Sequence, residues 1–242
     1  MKGTTPAGAP GEQEAAAWVR AMFGRVARRY DFANHLLSLN IDRYWRAHSV
    51  RRLGRILDDP AAQVLDLCCG TGDLLLALER ARGAPVFGSD FCHPMLAAAR
   101  RKIARGHKRS QLFASDALNL PLADASLDLI TVAFGFRNLA NYEAGLREMR
   151  RVLKPGGTAA ILEFSQPPNS VFRALYNFYS RRILPIIGGA VSGDRDAYAY
   201  LPESVRKFPN APELAEEMGR AGFAHVSYEL LTGGIVALHL GR

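Results

Sequence analysis

Residues 66–73 (DLCCGTGD) constrain what this 242-residue chain can fold into more than any other stretch. A short apolar run, 63–67 (QVLDL), ends in it and an apolar-periodic run, 74–82, leaves it, so the segment reads as strand, tight turn, helix. The unit repeats. Residues 85–89 (PVFGS) lead into a helix over 94–105, and 112–114 lead into a loop at Asp116. Residues 127–134 (LDLITVAF) lead into a helix over 141–153, which closes on Lys154-Pro155-Gly156-Gly157 before a fifth strand over 158–164 (TAAILEF). Strands alternating with helices at this spacing predict an α/β fold built on a doubly wound, mostly parallel sheet. The end differs: 225–231 and 235–240 flank Thr232-Gly233-Gly234, which predicts a hairpin adding antiparallel strands at the sheet edge.

The length suits one domain with decorations. Residues 1–14 are read as a disordered tail and 15–242 as a single domain, with N-terminal helices over 15–58. Val19, Met22, Phe23, Val26 and Tyr30 share the spacing of one buried helix face, and Leu36, Leu37, Ile41 and Trp45 continue a helical pattern towards Leu57. Residues 166–212 hold many aromatics (Phe172, Tyr176, Phe178, Tyr179, Tyr198, Tyr200, Phe208) and no clear strand, which predicts an insertion over the active-site edge. No apolar run approaches the roughly 18 residues of a membrane span, and 1–14 lack the apolar middle of a secretory signal, so a cytoplasmic protein is expected. Cys68, Cys69 and Cys92 have neither the even count of a disulfide framework nor zinc-site spacing, so no metal is expected. The net charge of +8 suits nucleic acid or an anionic membrane face, but the basic residues alternate with apolar ones at helical spacing, as on a solvated helix face.

In a doubly wound sheet, ligands sit beyond the carboxyl ends of the strands, which points to the 66–73 turn. Gly70 and Gly72 permit positive φ and close approach of a ligand. The rival reading is a nicotinamide-dependent dehydrogenase. Against it, the third glycine of the dinucleotide fingerprint would fall at Leu75, and Asp66 and Asp73 would repel a pyrophosphate. Two carboxylates instead suit a ligand carrying an ammonium and a sulfonium, which describes S-adenosylmethionine. Asp90 ends the second strand about 20 residues beyond the glycines, where an acid accepts from ribose hydroxyls; its alternative role is a helix N-cap. Asp116-Ala117 ends the third strand, where a carboxylate and the next N–H can meet adenine. Glycine loop, acid, Asp-Ala loop and Leu-Lys-Pro-Gly-Gly turn, in that order, fit a class I methyltransferase.

From Met22 to Gly241 the chain resembles the menaquinone and ubiquinone biosynthesis C-methyltransferases. The resemblance is carried by Phe134-Gly135-Phe136-Arg137-Asn138, Arg151-Val152-Leu153-Lys154-Pro155-Gly156-Gly157, Leu162-Glu163-Phe164-Ser165, Tyr200-Leu201 and Thr232-Gly233-Gly234-Ile235-Val236-Ala237. It implies cofactor contacts at Thr71, Asp90, Asp116 and Ala117 beside Gly70 and Gly72, and methylation of a ring carbon of a polyprenylated quinol. Demethylmenaquinol is the first expectation; the benzoquinol precursor of ubiquinone and a soluble small molecule are the alternatives. A nucleic-acid methyltransferase or basic binding module is disfavoured, because the chain has no Asp/Asn-Pro-Pro-Tyr/Phe motif and no zinc knuckle. The chain departs from its relatives at Ala133, where a serine is common, at Asn40, where a glycine is usual, and at Cys68-Cys69.

A ring carbon becomes nucleophilic once a neighbouring quinol hydroxyl loses its proton, so the site must favour a quinolate. Arg137 and Asn138, just past the fourth strand, are expected beside the substrate ring, with Arg137 as the electrostatic partner rather than the base. Water, Tyr30, Asp31 and His239 stay open as the base. Arg137 has an alternative role in a structural salt bridge to Asp31 or Glu163, and Tyr30 in the core. Residues 171–187 (VFRALYNFYSRRILPII) are expected to form a mobile wall of the quinol site with weak anionic membrane contact; the alternative is a core-packing helix with a charged edge.

Overall fold

A computed structural model describes residues 3–6, 8–9, 11–183 and 195–242. Its centre is a seven-stranded sheet in the order β3-β2-β1-β4-β5-β7-β6, with β1 Val64–Leu67, β2 Phe87–Asp90, β3 Gln111–Ala114, β4 Leu127–Ala133, β5 Leu153–Phe164, β6 Val226–Leu231 and β7 Val236–Gly241. The first five pair in parallel; β7 runs antiparallel to β5 and β6. The predicted hairpin is present, but its second strand β7 is interior and β6 forms the edge. The chain winds outward from β1 towards β3 and then returns to β4 on the other side, so the strand order reverses between β1 and β4. That reversal opens the crevice in which such sheets bind ligands.

Both sheet faces are covered, which is why β1 is buried along its whole length. Leu65, Leu67, Ile130, Val132 and Ile161 point to one side, against Leu146 and Met149 of α7 (Tyr142–Val152) and Leu214 and Met218 of α10 (Ala211–Arg220). Val64, Leu129, Leu162 and Leu238 point to the other side. There they meet Trp45 of α3 (Ile41–Arg52), Leu57 of α4 (Gly54–Leu57) and Leu74, Leu75 and Leu78 of α5 (Asp73–Arg82). Helix α6 (His93–Arg105) lies between β2 and β3 in the chain. Close strand–helix packing is reached without a glycine at Leu75. The space lies instead in β2, where a Cβ on Gly88 would stand 3.2 Å from the Leu75 side chain.

The N-terminal helices differ from expectation. The pattern running from Val19 to Tyr30 is two helices, α1 (Glu12–Val26) and α2 (Tyr30–Leu37), so Tyr30 starts a new helix instead of extending the first. The next pattern breaks as well: Leu39 and Asn40 adopt φ of 52° and 60°, and α3 leaves at a new angle. An asparagine tolerates this left-handed geometry better than other non-glycine residues. Within the stretch read as a tail, α1 already begins at Glu12 and Thr4 is buried. The insertion folds as α8 (Ser170–Phe178), a π-helical turn Tyr179–Ile183 and α9 (Arg195–Lys207). Residues 184–187 of the expected wall lie outside the described residues.

Candidate active site

Two cavities meet at the carboxyl ends of β1 and β4. The first, about 990 Å³ including space open to solvent, is lined by the glycine turn together with Asp66, Asp73, Asp90, Asp116, Ala117 and Asn138. Gly70 and Gly72 have φ of 54° and 88°, and Cys68, whose side chain gives no sign of it in the sequence, shares the left-handed geometry at 54°. The turn lies close against the loop after β4, because a Cβ on Gly135 would approach that of Cys68 to 2.5 Å.

The acids expected to hold the cofactor line this cavity in distinct states. Asp66 is fully buried; Oδ1 accepts from Thr131 at 2.8 Å, while Oδ2 has no partner among the described residues. Burial pushes its carboxyl up to about 7. Such an orphaned acceptor fits an ammonium, so the donor set suits the amino-acid end of S-adenosylmethionine. Asp90 accepts from Gly70 N–H and Cys92 N–H, both at 2.9 Å. It thereby pins the glycine turn to the end of β2 and is not the N-cap of α6, which is Cys92. Asp116 is exposed and accepts from Leu118 N–H at 2.9 Å, leaving its other oxygen for a ligand. Thr71 donates to Asp31 at 2.5 Å and accepts from Lys102, which also binds Asp31 and Asp73 at 2.6 Å. Asp31, one of the open candidates for the base, is therefore spent on locking α2 to the glycine turn. His35, Asp42 and Asp73 stand close enough to hold a cation, but Arg46 and Lys102 already satisfy these carboxylates.

The second cavity, about 1250 Å³ including open space, is apolar, lined among others by Leu37, Trp45, Phe164, Phe172, Tyr176 and Tyr179. Tyr30, Arg46 and Phe134 line both cavities and form the junction. Phe134 holds a φ of 59°, rare for an aromatic residue, and its ring packs on Phe164 at 5.0 Å and on Trp45 at 5.8 Å. Backbone held this way is stored strain and clusters at functional sites. The Arg46 guanidinium lies 5.4 Å over the Phe134 ring and pairs with Asp42. In the sequence Phe134 stands out only as part of the resemblance, and Arg46 does not stand out. The Asp42-x-x-x-Arg46 spacing on a helix was the available signal for Arg46.

Arg137 and Asn138 are buried in a 3-10 turn, Phe136–Asn138, directly after β4. Arg137 lines the apolar cavity and is also paired: Nη1 donates to Glu163 Oε1 at 2.8 Å and to Phe134 O at 2.6 Å. Both roles read from the sequence thus meet in one side chain, with Glu163 rather than Asp31 as the acid. Its Nε is buried with no hydrogen-bond partner among the described residues. Tyr30 is the third expected residue; burial opposes loss of its proton and raises its pKa, against the pull of Arg137. His239, an open candidate for the base, faces away: on β7 it bonds Ala211 O at 2.9 Å and lines neither cavity.

The segment over 171–178 is no core helix. α8 buries none of its residues; Val171, Leu175 and Phe178 are each more than three-fifths exposed. Leu175 belongs to the lining of the apolar cavity, as do Leu39 and Ile41, both exposed.

A model of the ubiE/COQ5 methyltransferase family matches residues 11–242. The demethylmenaquinone methyltransferase of Thermus thermophilus is 48% identical over 91% of this chain and 99% of its own length. That of Deinococcus radiodurans is 44% identical over 95% and 94%. Among solved structures, a SAM-dependent methyltransferase of Thermotoga maritima, titled a possible histamine N-methyltransferase, superposes with a TM-score of 0.63. It is 18% identical and covers 91% of this chain and 98% of its own, a likeness in fold alone.

Proposed function

The chain belongs to the ubiE/COQ5 methyltransferase family, and from that premise we propose that it methylates a ring carbon of the polyprenylated quinol demethylmenaquinol, using S-adenosylmethionine. The observation that carries this reading is the junction: a carboxylate-rich cavity for a cationic nucleoside opens, at Tyr30, Arg46 and Phe134, into an apolar cavity suited to an aromatic ring. A residue lining each cavity carries a buried polar atom without a partner among the described residues, an acceptor on Asp66 for the first and a donor on Arg137 for the second.

S-adenosylmethionine supplies the methyl group as an electrophile on sulfur; the protein's part is orientation and charge placement. Asp66 receives the ammonium, Asp90 the ribose hydroxyls, and Asp116 with Ala117 the adenine. Phe134, Trp45 and Phe164 hold the ring flat against the junction. The Nε of Arg137 donates to the quinol oxygen and stabilises the quinolate, which raises electron density at the adjacent carbon. Glu163 fixes that guanidinium in place. Tyr30 keeps its proton at neutral pH and acts as a second donor, not as the base. Asp42, the carboxylate lining the apolar cavity, is held below its ordinary range despite burial by Ser38 and Arg46, so it is a poor base too. The quinol proton therefore leaves to water; after methylation the ring carbon's own hydrogen leaves as a proton and the oxygen regains one, which restores the aromatic quinol.

The exposed Leu39, Ile41 and Leu175 at the mouth, continued outward by Leu36 and Phe178, support entry of the prenyl tail between α8 and the break before α3. Exposed arginines nearby, Arg173 and Arg182, support weak contact with anionic head groups. Among the described residues no helix is long and apolar enough to cross a membrane. The test is incubation with labelled S-adenosylmethionine and demethylmenaquinol in phosphatidylglycerol vesicles. Label extractable into organic solvent is expected; label staying in the aqueous phase contradicts the proposal.

A further inference from the structure

Residues 3–5 dock on the loop that carries Asn138. Thr4 N–H donates to Leu139 O at 2.8 Å, and Lys207 of α9 donates to Thr5 O at 3.0 Å. A Cβ at position 3 would stand 1.9 Å from Ala140 O, so only glycine fits there. Leu139 and Ala140 line the glycine-turn cavity with Asn138, and the docked segment forms the back of that wall.

Thr4, Tyr200 and Asn138 are each more than nine-tenths buried and bond in a row. Tyr200 has one hydroxyl proton and donates it to Asn138 Oδ1 at 3.0 Å. Thr4 Oγ1, 2.7 Å from the same phenol oxygen, must then be the donor to Tyr200. The carbonyl of Phe134 can only accept, so it sets the amide orientation and Tyr200 reinforces it. With Oδ1 committed to Tyr200, Nδ2 turns towards Phe134 O, 3.4 Å away, and one of its two protons stays unspent at the cavity wall beside the junction.

We propose that Thr4 and Tyr200 are positioning residues that hold Asn138 as a hydrogen-bond donor at the junction where methyl transfer takes place. This rests on the reading of Asn138 as part of the reaction site. It gives residues 3–5 a part in turnover, although they touch neither substrate. Without the phenol hydroxyl only the long 3.4 Å bond to Phe134 O restrains the amide, so the flipped form, which presents an acceptor where a developing negative charge needs a donor, gains population.

The test measures kcat and both KM values with S-adenosylmethionine and demethylmenaquinol. Tyr200→Phe keeps the ring that packs on Trp18 at 5.1 Å and removes only the hydroxyl. It should lower kcat about five- to tenfold while changing the KM for S-adenosylmethionine less than about twofold. Thr4→Val should lower kcat in the same direction and Thr4→Ser should restore it. The Thr4→Val, Tyr200→Phe double variant should be no slower than Tyr200→Phe alone, because the two act in series. If Asn138→Ala turns over normally, the reading of Asn138 fails and the inference with it. If Asn138→Ala is slow but Tyr200→Phe is normal, or if the two single losses add, the positioning relay is overturned while the active-site reading stands.

Discussion

Asp66 sets burial against ligand chemistry. Burial opposes its charge, so in the ligand-free fold it titrates near 7, against about 4 in an unfolded chain. Between those values the folded state binds the extra proton, so this group's contribution to stability falls as pH rises from about 4 to 7 and levels off above. A bound ammonium favours the ionised form. Affinity for S-adenosylmethionine should therefore rise several-fold between pH 6 and 7.5. Asp66→Asn should bind more weakly and lose that rise, as read by calorimetry; an unchanged pH profile would place the ammonium elsewhere. Asp90 makes a second case. Its Oδ2 holds the glycine turn and its Oδ1 the start of α6, and with the ribose role proposed for it Asp90→Ala should weaken cofactor binding by about 1–3 kcal/mol and also lower Tm. Normal cofactor affinity in this variant would remove Asp90 from the ribose role. For Arg137, lysine keeps the charge but cannot reproduce both the Glu163 pair and the free Nε, so Arg137→Lys should lose about 3 kcal/mol of turnover with little change in cofactor affinity. Equal losses would mark a structural role. These acids and Arg137 were legible in the sequence because each sits at the end of a strand, where topology aims residues at the crevice. Arg46 was not, since a charged residue in a basic helix looks like any solvated one until the fold turns it inward.

At the scale of elements, the breaks before α2 and α3 shape the mouth of the apolar cavity. Apolar spacing continued across both breaks, and the second is made by Leu39 and Asn40 without a glycine, so neither was legible as a stop. Left-handed geometry is tolerated by asparagine and resisted by alanine; Asn40→Ala should lower stability by about 1 kcal/mol, measured by urea unfolding, and Asn40→Gly should not. The break leaves Leu39 about three-quarters exposed on the apolar cavity that Leu175 of α8 also lines. Exposed leucines on one apolar cavity suit the entry proposed for the prenyl tail. Leu39→Glu with Leu175→Glu should raise the KM for long-chain quinols well above that for short-chain analogues. A common rise for both chain lengths would mean that the mouth serves the ring or the fold. The aromatic content of 166–212 and its lack of a clear strand could be read from sequence, but the exposed stripe on α8 could not, because helical periodicity does not say which face is covered.

For the whole molecule, the mostly parallel sheet and its antiparallel end were legible because strand and helix periods alternate so regularly from 63 to 164. The pairing of two cavities was not, since it depends on where α1, α2 and α3 fold back over the sheet, a long-range outcome of contacts such as Asp31 with Lys102. In the proposed reaction the two cavities bring a sulfonium methyl to a ring carbon of a naphthoquinol. The most direct measurement gives the protein labelled S-adenosylmethionine with demethylmenaquinol and the benzoquinol precursor of ubiquinone together, matched in tail length, and locates the label in the separated products. Label is expected on a ring carbon of the naphthoquinol, formed in preference to the benzoquinol product; label on a hydroxyl oxygen, or on neither quinol, would overturn this reaction.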